Sequence, residues 1–206
     1  MPKQTFFNLK EEKSNKIIQA AVDEFSSKPY ELVNLSDIIK KAEIPRGSFY
    51  QYFEDKKDIY LYLIDQIKKT KMDYLSKSML NQDTPFLKLV EELYDSGIHF
   101  AINHPKFVLI MDKLIKNKNE IYDQMMKNNK NFAIDYYSKL INKDKAKGLI
   151  RDDIHTLTLA KIISDLTSNV TINELNVNNP EESYKVMKEN IHHILNILKK
   201  GIEENV

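Results

Sequence analysis

Scarce punctuation is what most restricts this chain: its 206 residues include 4 glycines and 6 prolines. A sandwich or barrel of short strands needs a turn about every ten residues, and such turns draw heavily on both residue types. Long helices need few. The apolar pattern agrees. Ile17, Ala21 and Phe25, with Ile18 and Val22, recur at steps of three and four, as do Ile59, Leu63 and Ile67. That spacing puts each set on one helix face. No segment alternates as a strand would, so the expected fold is all-α.

Composition then excludes several chemistries. There are no cysteines, which removes disulfides, thiolate zinc sites and cysteine catalysis, and suits a reducing cytoplasm. No apolar run approaches the ~20 residues that span a bilayer, and residues 1–13 do not read as a signal peptide. There is no Gly-rich phosphate loop and no H-E-x-x-H. His192 and His193 are adjacent, so on a helix they diverge. His99 and His104 straddle an expected helix end. The sequence therefore predicts no catalytic residue, no metal and no cofactor, and a protein that is not an enzyme. Net charge is +1, from 31 basic and 30 acidic residues. A general polyanion binder is usually more basic, so any grip on nucleic acid must rest on locally placed charge.

Local signals set the helix boundaries. Asn8 with Glu11 reads as a capping box opening the first helix, and Pro29 stops it. Asn34 with Asp37 opens a second, whose apolar side is Leu35, Ile38, Ile39 and Ala42. Pro45 stands where a third should begin, with Phe49 and Phe53 on its inner face. Lys56 opens a longer helix. Further helices are predicted from Pro85 to about Asn103, beyond Pro105, from about Asn119 to Lys147 with Gly148 as its end, after a cap at Asp153, and after Pro180.

Two short helices joined by a tight turn and packed on a third can present one of them to the major groove. Residues 34–53 have that form. With Phe49 and Phe53 inward, Gly47 and Gln51 point outward, flanked by Ser48 and Tyr50. Gly47 costs such a helix roughly 1 kcal/mol against alanine; close backbone approach to DNA would explain it, and so would structural accident. Arg46 and Arg151 are the chain's arginines, among many lysines. A guanidinium fork suits guanine O6 and N7. Lys56, at a helix start, suits a phosphate, as do Asn34 and Ser36, with capping alone as a compatible role for Asn34.

The run Ile44-Pro-Arg-Gly-Ser-Phe-Tyr-Gln-Tyr-Phe-Glu-Asp-Lys56 resembles the signature of the TetR family of bacterial transcriptional regulators. Leu35-Ser-Asp-Ile-Ile-Lys-Lys-Ala42 is similar to its second helix and Ile17–Phe25 to its first, so the likeness covers about Lys10–Ile67. Gly148-Leu-Ile-Arg-Asp-Asp153 is a weaker echo of the link before the family's dimerisation helices. Glu43 and Pro29 depart from the pattern, standing where the family often has glycine. The resemblance implies an N-terminal three-helix DNA-binding domain with the helix-turn-helix, residues 1–55, and a C-terminal helical effector-binding and dimerisation domain, residues 56–206. It implies phosphate contacts from Asn34, Ser36, Tyr50, Tyr52 and Lys56, and base-edge positions for Arg46, Gly47, Ser48 and Gln51. Lys40, Lys41, Arg46, Lys56 and Lys57 would then cluster near DNA, with Glu11, Asp23 and Glu24 facing elsewhere.

For the remainder, large adaptable side chains crowd the middle helices, and core packing is their first reading. The resemblance implies a small-molecule pocket there, with Tyr94, His99, Phe100, His104, Phe107, Met111, Met125 and Tyr136 as candidates. Leu159, Ile163, Leu166 and Val170 form one apolar seam, and Met187, Ile191, Ile194 and Leu198 another. Ile162, Leu195 and Ile197 are apolar off the seams, so these helices want more than one neighbour. A homodimer through both helices is what the family would supply, on a roughly palindromic double-stranded DNA operator. The implied function is a cytoplasmic repressor released by a small-molecule effector of unknown identity. A ligand-independent DNA-binding or protein-interaction factor of the same fold is the second reading.

Overall fold

A computed structural model describes residues 1–79, 83–118, 120–174 and 179–202. It contains helices α1 (Gln4–Phe7), α2 (Glu11–Ser27), α3 (Leu35–Lys41), α4 (Arg46–Tyr52), α5 (Lys56–Met79), α6 (Phe86–Asn103), α7 (Pro105–Asn117), α8 (Glu120–Ala146), α9 (Thr156–Glu174) and α10 (Pro180–Ile202), with a 3-10 turn at Tyr30–Leu32. No strand occurs among the described residues. The all-α expectation holds.

The chain forms two compact units, one of residues 1–72 and 104–122, the other of residues 73–103 and 123–206. Packing thus follows a different line from a cut between residues 55 and 56. The cause is α7, which packs on α2 and buries Ile110 and Leu114. Lys106 at the start of α7 donates to Asp23 at 2.6 Å.

In the first unit, Ile17, Ala21 and Phe25 of α2 are buried together with Ile38, Phe49, Phe53, Ile59 and Leu63. Proline at position 29 keeps Lys28 extended, because its ring crowds a helical predecessor. Asn34 caps α3 as expected, its Oδ1 accepting from Ser36 N at 3.0 Å. The Asn8 capping box does not form. Asn8 ends α1, its N–H donating to Gln4 O and its Oδ1 accepting from Gln4 Nε2 at 3.3 Å, and α2 begins at Glu11 after Lys10, which gives no side-chain cap. Residues 4–7 already coil into a helix, which turns Asn8 into a C-cap.

The second unit is built on α6, α8, α9 and α10. Phe86, Val90, Ile134, Ile141, Leu159, Ile163 and Ile191 form its core, and α10 packs on both α6 and α9. Gly148 ends α8 with φ 71, as a helix-ending glycine should. Asp153 does not cap α9; it pairs with Arg151 at 3.1 Å, and His155 Nδ1 accepts from Thr158 N at 3.3 Å instead. Part of each expected seam is used inside the chain. Leu159, Ile163, Met187 and Ile191 are buried within the single chain, while Leu166, Ile194 and Leu198 are partly buried. The α6–α10 contact consumes that face. The Val170 side chain lies outside the described residues.

Asp144, near the end of α8, is 2% exposed. Its Oδ2 accepts from Phe86 N at 2.6 Å and so caps α6, while Oδ1 has the Lys143 ammonium at 3.5 Å. A buried donor left without an acceptor is costly. Asp144→Ala is expected to lower the stability of the second unit by about 2 kcal/mol, within the range of lost caps, read as an earlier denaturant midpoint at unchanged slope.

Candidate nucleic-acid interface

The turn between α3 and α4 decides how α4 is presented. Glu43 sits there with φ 53, the left-handed conformation that glycine takes without steric cost. Its N–H bonds to Lys40 O at 3.1 Å and that of Ile44 to Ile39 O at 3.3 Å, a Schellman closure. The strained residue also pairs with Lys16 of α2, which holds its carboxyl below the usual range through that hydrogen bond. The departure from glycine thus leaves the turn intact, and its negative charge is matched.

α4 is anchored from below. Phe49 and Phe53 are fully buried and stack with centroids 5.4 Å apart. Arg46, Gly47, Tyr50 and Gln51 are exposed, and Ser48 is half-buried. A methyl group added at Gly47 would meet nothing within 4 Å, so the chain's own fold does not require glycine there. Asn34 and Ser36 are exposed at the start of α3.

Two expected DNA contacts are placed otherwise. Tyr52 is 6% exposed, packed edge-on against Phe6 with centroids 6.3 Å apart and beneath the Lys13 ammonium at 5.7 Å. The cause is α1, which covers that side of α4. Lys56 folds back. Its ammonium donates to Tyr30 O at 2.9 Å, Val33 O at 3.0 Å and Glu31 O at 3.4 Å and lies 4.6 Å over the Tyr30 ring. All three protons are thereby engaged. The start of α5 also holds two carboxylates: Asp55 accepts from Asp58 N at 2.8 Å, and Asp58 accepts from Glu54 N at 3.1 Å. Asp58 is paired with the Met1 ammonium, so a phosphate there would meet the Asp55 carboxylate.

Acidic residues offset much of the positive charge of this unit. Glu24, 8% exposed, accepts from Lys41 at 2.9 Å and Lys28 at 3.3 Å. The Lys41 hydrogen bond is the main reason its carboxyl lies below the usual range, against the opposing effect of burial. Asp23 takes Lys106. Lys41 is therefore committed inside the unit, whereas Lys40, Arg46 and Lys57 are exposed and pair with no carboxylate among the described residues.

Sequence reading missed the part played by residues 3–6. Lys3 N donates to Tyr52 O at 2.8 Å, Lys3 Nζ to Tyr50 O at 2.9 Å, and Thr5 Oγ1 to Gln51 O. Phe6 is buried against Phe53 with centroids 4.9 Å apart. The Phe6-Phe7 pair ahead of α2 was the available signal.

The expected effector residues do not gather at a described cleft. His104, Phe107 and Met111 belong to the first unit, and Tyr94, His99, Phe100 and Tyr136 to the second; the Met125 side chain lies outside the described residues. Phe100 is buried with its ring 5.8 Å from that of Tyr74, and Tyr94 packs on the second core. One described cleft, about 460 Å³, is lined by residues such as Asn142, Lys145, Asp152 and His155. Another, about 550 Å³, lies between Lys10, Lys13, Lys16 and Glu43. No cluster of metal-ligating residues occurs among the described residues, and no described helix is long and apolar enough to cross a membrane.

A helix-turn-helix with its second helix exposed along one face defines a DNA-binding protein. Residues 17–63 match the family of bacterial regulatory proteins designated tetR. The chain is 28% identical over 172 residues to the uncharacterized HTH-type transcriptional regulator YvdT of Bacillus subtilis, covering 82% of this chain and 83% of that one. It is 26% identical over 191 residues to IcaR of Staphylococcus aureus, the HTH-type negative transcriptional regulator of the biofilm operon icaADBC, covering 90% and 98%. A crystal structure of a TetR family transcriptional regulator from Chloroflexus aurantiacus superposes with a TM-score of 0.68 at 28% identity, covering 100% of both chains. Residues 17–63 thus carry a TetR-family helix-turn-helix, and the relatives that match most of the chain are transcriptional regulators.

The three acceptors of Lys56 generate a prediction. Lys56→Met strands carbonyls that shape the turn before α3, so the melting temperature should fall by several degrees, corresponding to roughly 1–2 kcal/mol. The slope of log affinity for DNA against log salt should stay unchanged; a slope shallower by about one would return Lys56 to the phosphate contacts.

Proposed function

We propose that this protein is a cytoplasmic repressor that binds a roughly palindromic double-stranded operator as a homodimer and is released by a small-molecule effector. One observation carries the DNA reading: Arg46, Gly47 and Gln51 face outward on α4, and Arg46 has no carboxylate partner among the described residues. Arg46 reads base edges with Gln51 and Ser48; Gly47 lets the backbone come close; Asn34, Ser36 and Tyr50 hold phosphates. DNA binding is assigned to residues 1–55, and effector binding and dimerisation to residues 56–206. That a relative bears the name of a negative regulator supports repression.

Dimerisation is assigned to the outward side of α9 and α10. Leu157, Ile162 and Ile197 are 43%, 42% and 72% exposed, and the partly buried Ile194 lies three residues from Ile197 on the same side of α10. Two-fold pairing of this side would supply the two copies of α4 that a roughly palindromic operator calls for. An effector that prefers another spacing of the two copies weakens DNA binding by its differential affinity for the two states. The partly buried His104, which precedes α7, and Phe107 and Met111 within it are the side chains through which occupancy would reach α2. The ligand-independent reading draws support from the two described clefts, both lined by other residues.

Two experiments test this. Selection of duplexes from a randomised pool should yield a near-palindromic site, on which Arg46→Ala costs roughly 1–3 kcal/mol while shuffled DNA binds as before. Equal loss on both would remove Arg46 from base reading. Light scattering at micromolar concentration should give a dimer for the wild type and a monomer for Ile162→Asp/Ile197→Asp, with helicity retained; a monomeric wild type would rule out the dimer.

A further inference from the structure

A helix leaves its last four carbonyls without partners inside it, and α4 has only seven residues in which to absorb that deficit. Phe49 O is satisfied by Phe53 N at 2.9 Å. The other three, Tyr50 O, Gln51 O and Tyr52 O, are all taken by two residues of one distant segment: Lys3 through its side chain and its backbone, and Thr5 through its hydroxyl. The Lys3 ammonium also sits at the negative end of the α4 dipole, where a cation is favoured. Phe6 fixes the segment by inserting among Phe53, Tyr52 and Tyr62 at 4.9, 6.3 and 5.5 Å.

We propose that Lys3 and Thr5 are positioning residues for DNA readout: they clamp the C-terminal end of α4 and so fix the angle at which its free N-terminal half meets the bases. This rests on α4 being the recognition helix. Phe49 and Phe53 hold the helix down on one side but leave it free to pivot about that side. Bonds to three successive end carbonyls remove the pivot. Discrimination between base sequences depends on such angles more than does attraction to phosphates, which is tolerant of small displacements.

The test compares Thr5→Val, which removes the hydroxyl at nearly constant volume and charge, with Thr5→Ser, which restores it. Each full-length variant is titrated against the duplex that the wild type enriches from a randomised pool and against a shuffled duplex of equal composition. Arg46→Ala is measured alongside. The expected result for Thr5→Val is a loss of about fivefold on the enriched duplex, in line with one hydrogen bond, with affinity for the shuffled duplex and the salt slope unchanged. Thr5→Ser should recover most of the loss. Lys3→Met should lose selectivity likewise, and Lys3→Arg retain it. Equal loss on both duplexes would make the segment a general stabiliser, and no loss on either would make it idle; each overturns the clamp. If Arg46→Ala keeps full selectivity, the assignment of α4 as reader fails first and the clamp with it.

Discussion

A helix of seven residues such as α4 cannot hold its shape alone, since isolated helices below about twelve residues are marginal in water. The first unit is organised around that constraint. Phe49 and Phe53 sink one side of α4 into the core. The left-handed turn at Glu43 sets its entry, closed by bonds from Glu43 and Ile44 back into α3. The segment before α2 closes its exit. What is left exposed is the face that carries Arg46, Gly47 and Gln51. Rigidity underneath and freedom on top are the conditions for reading bases without spending binding energy on ordering the reader.

Charge is handled with the same economy. Although the chain has 31 basic residues, several of the lysines in the first unit serve internal ends. Lys41 and Lys28 neutralise Glu24, Lys106 neutralises Asp23, and Lys56 binds backbone carbonyls. These bonds tie α2 to α3 and α7, and the start of α5 to the turn before α3. These lysines are withdrawn from any polyanion, which lowers affinity for arbitrary sequence below what the count of basic residues suggests.

Much of this was legible from local sequence. Pro45, the Phe49–Phe53 step and the Asn34 cap each act within a few residues of themselves, and all three behave as their chemistry suggests. Tyr52 and Lys56 do not, because their partners lie far along the chain: Phe6 for the one, Tyr30 and Val33 for the other. The seams on α9 and α10 were a different case. Periodicity shows that Leu159 and Ile191 need covering but not by what, and the cover turned out to be this chain's own second core. Of the three residues set aside as off-seam, Ile162 and Ile197 are left outside, while Leu195 joins the core. Asn8 and Asp153 had the right side chains for caps, yet a helix already formed upstream, or a better-placed His155, displaced them.

The packing of α7 on α2 bears on how such regulators can be recombined. Contiguity along the chain is not contiguity in space here: the unit that carries α4 also includes residues 104–122. Grafting residues 1–55 onto a TetR-family regulator would separate Asp23 from Lys106 and set the α2 surface against a stranger's α7. A chimera meant to exchange operator preference therefore has to import the inward side of α7, above all Ile110 and Leu114, along with the reading helix.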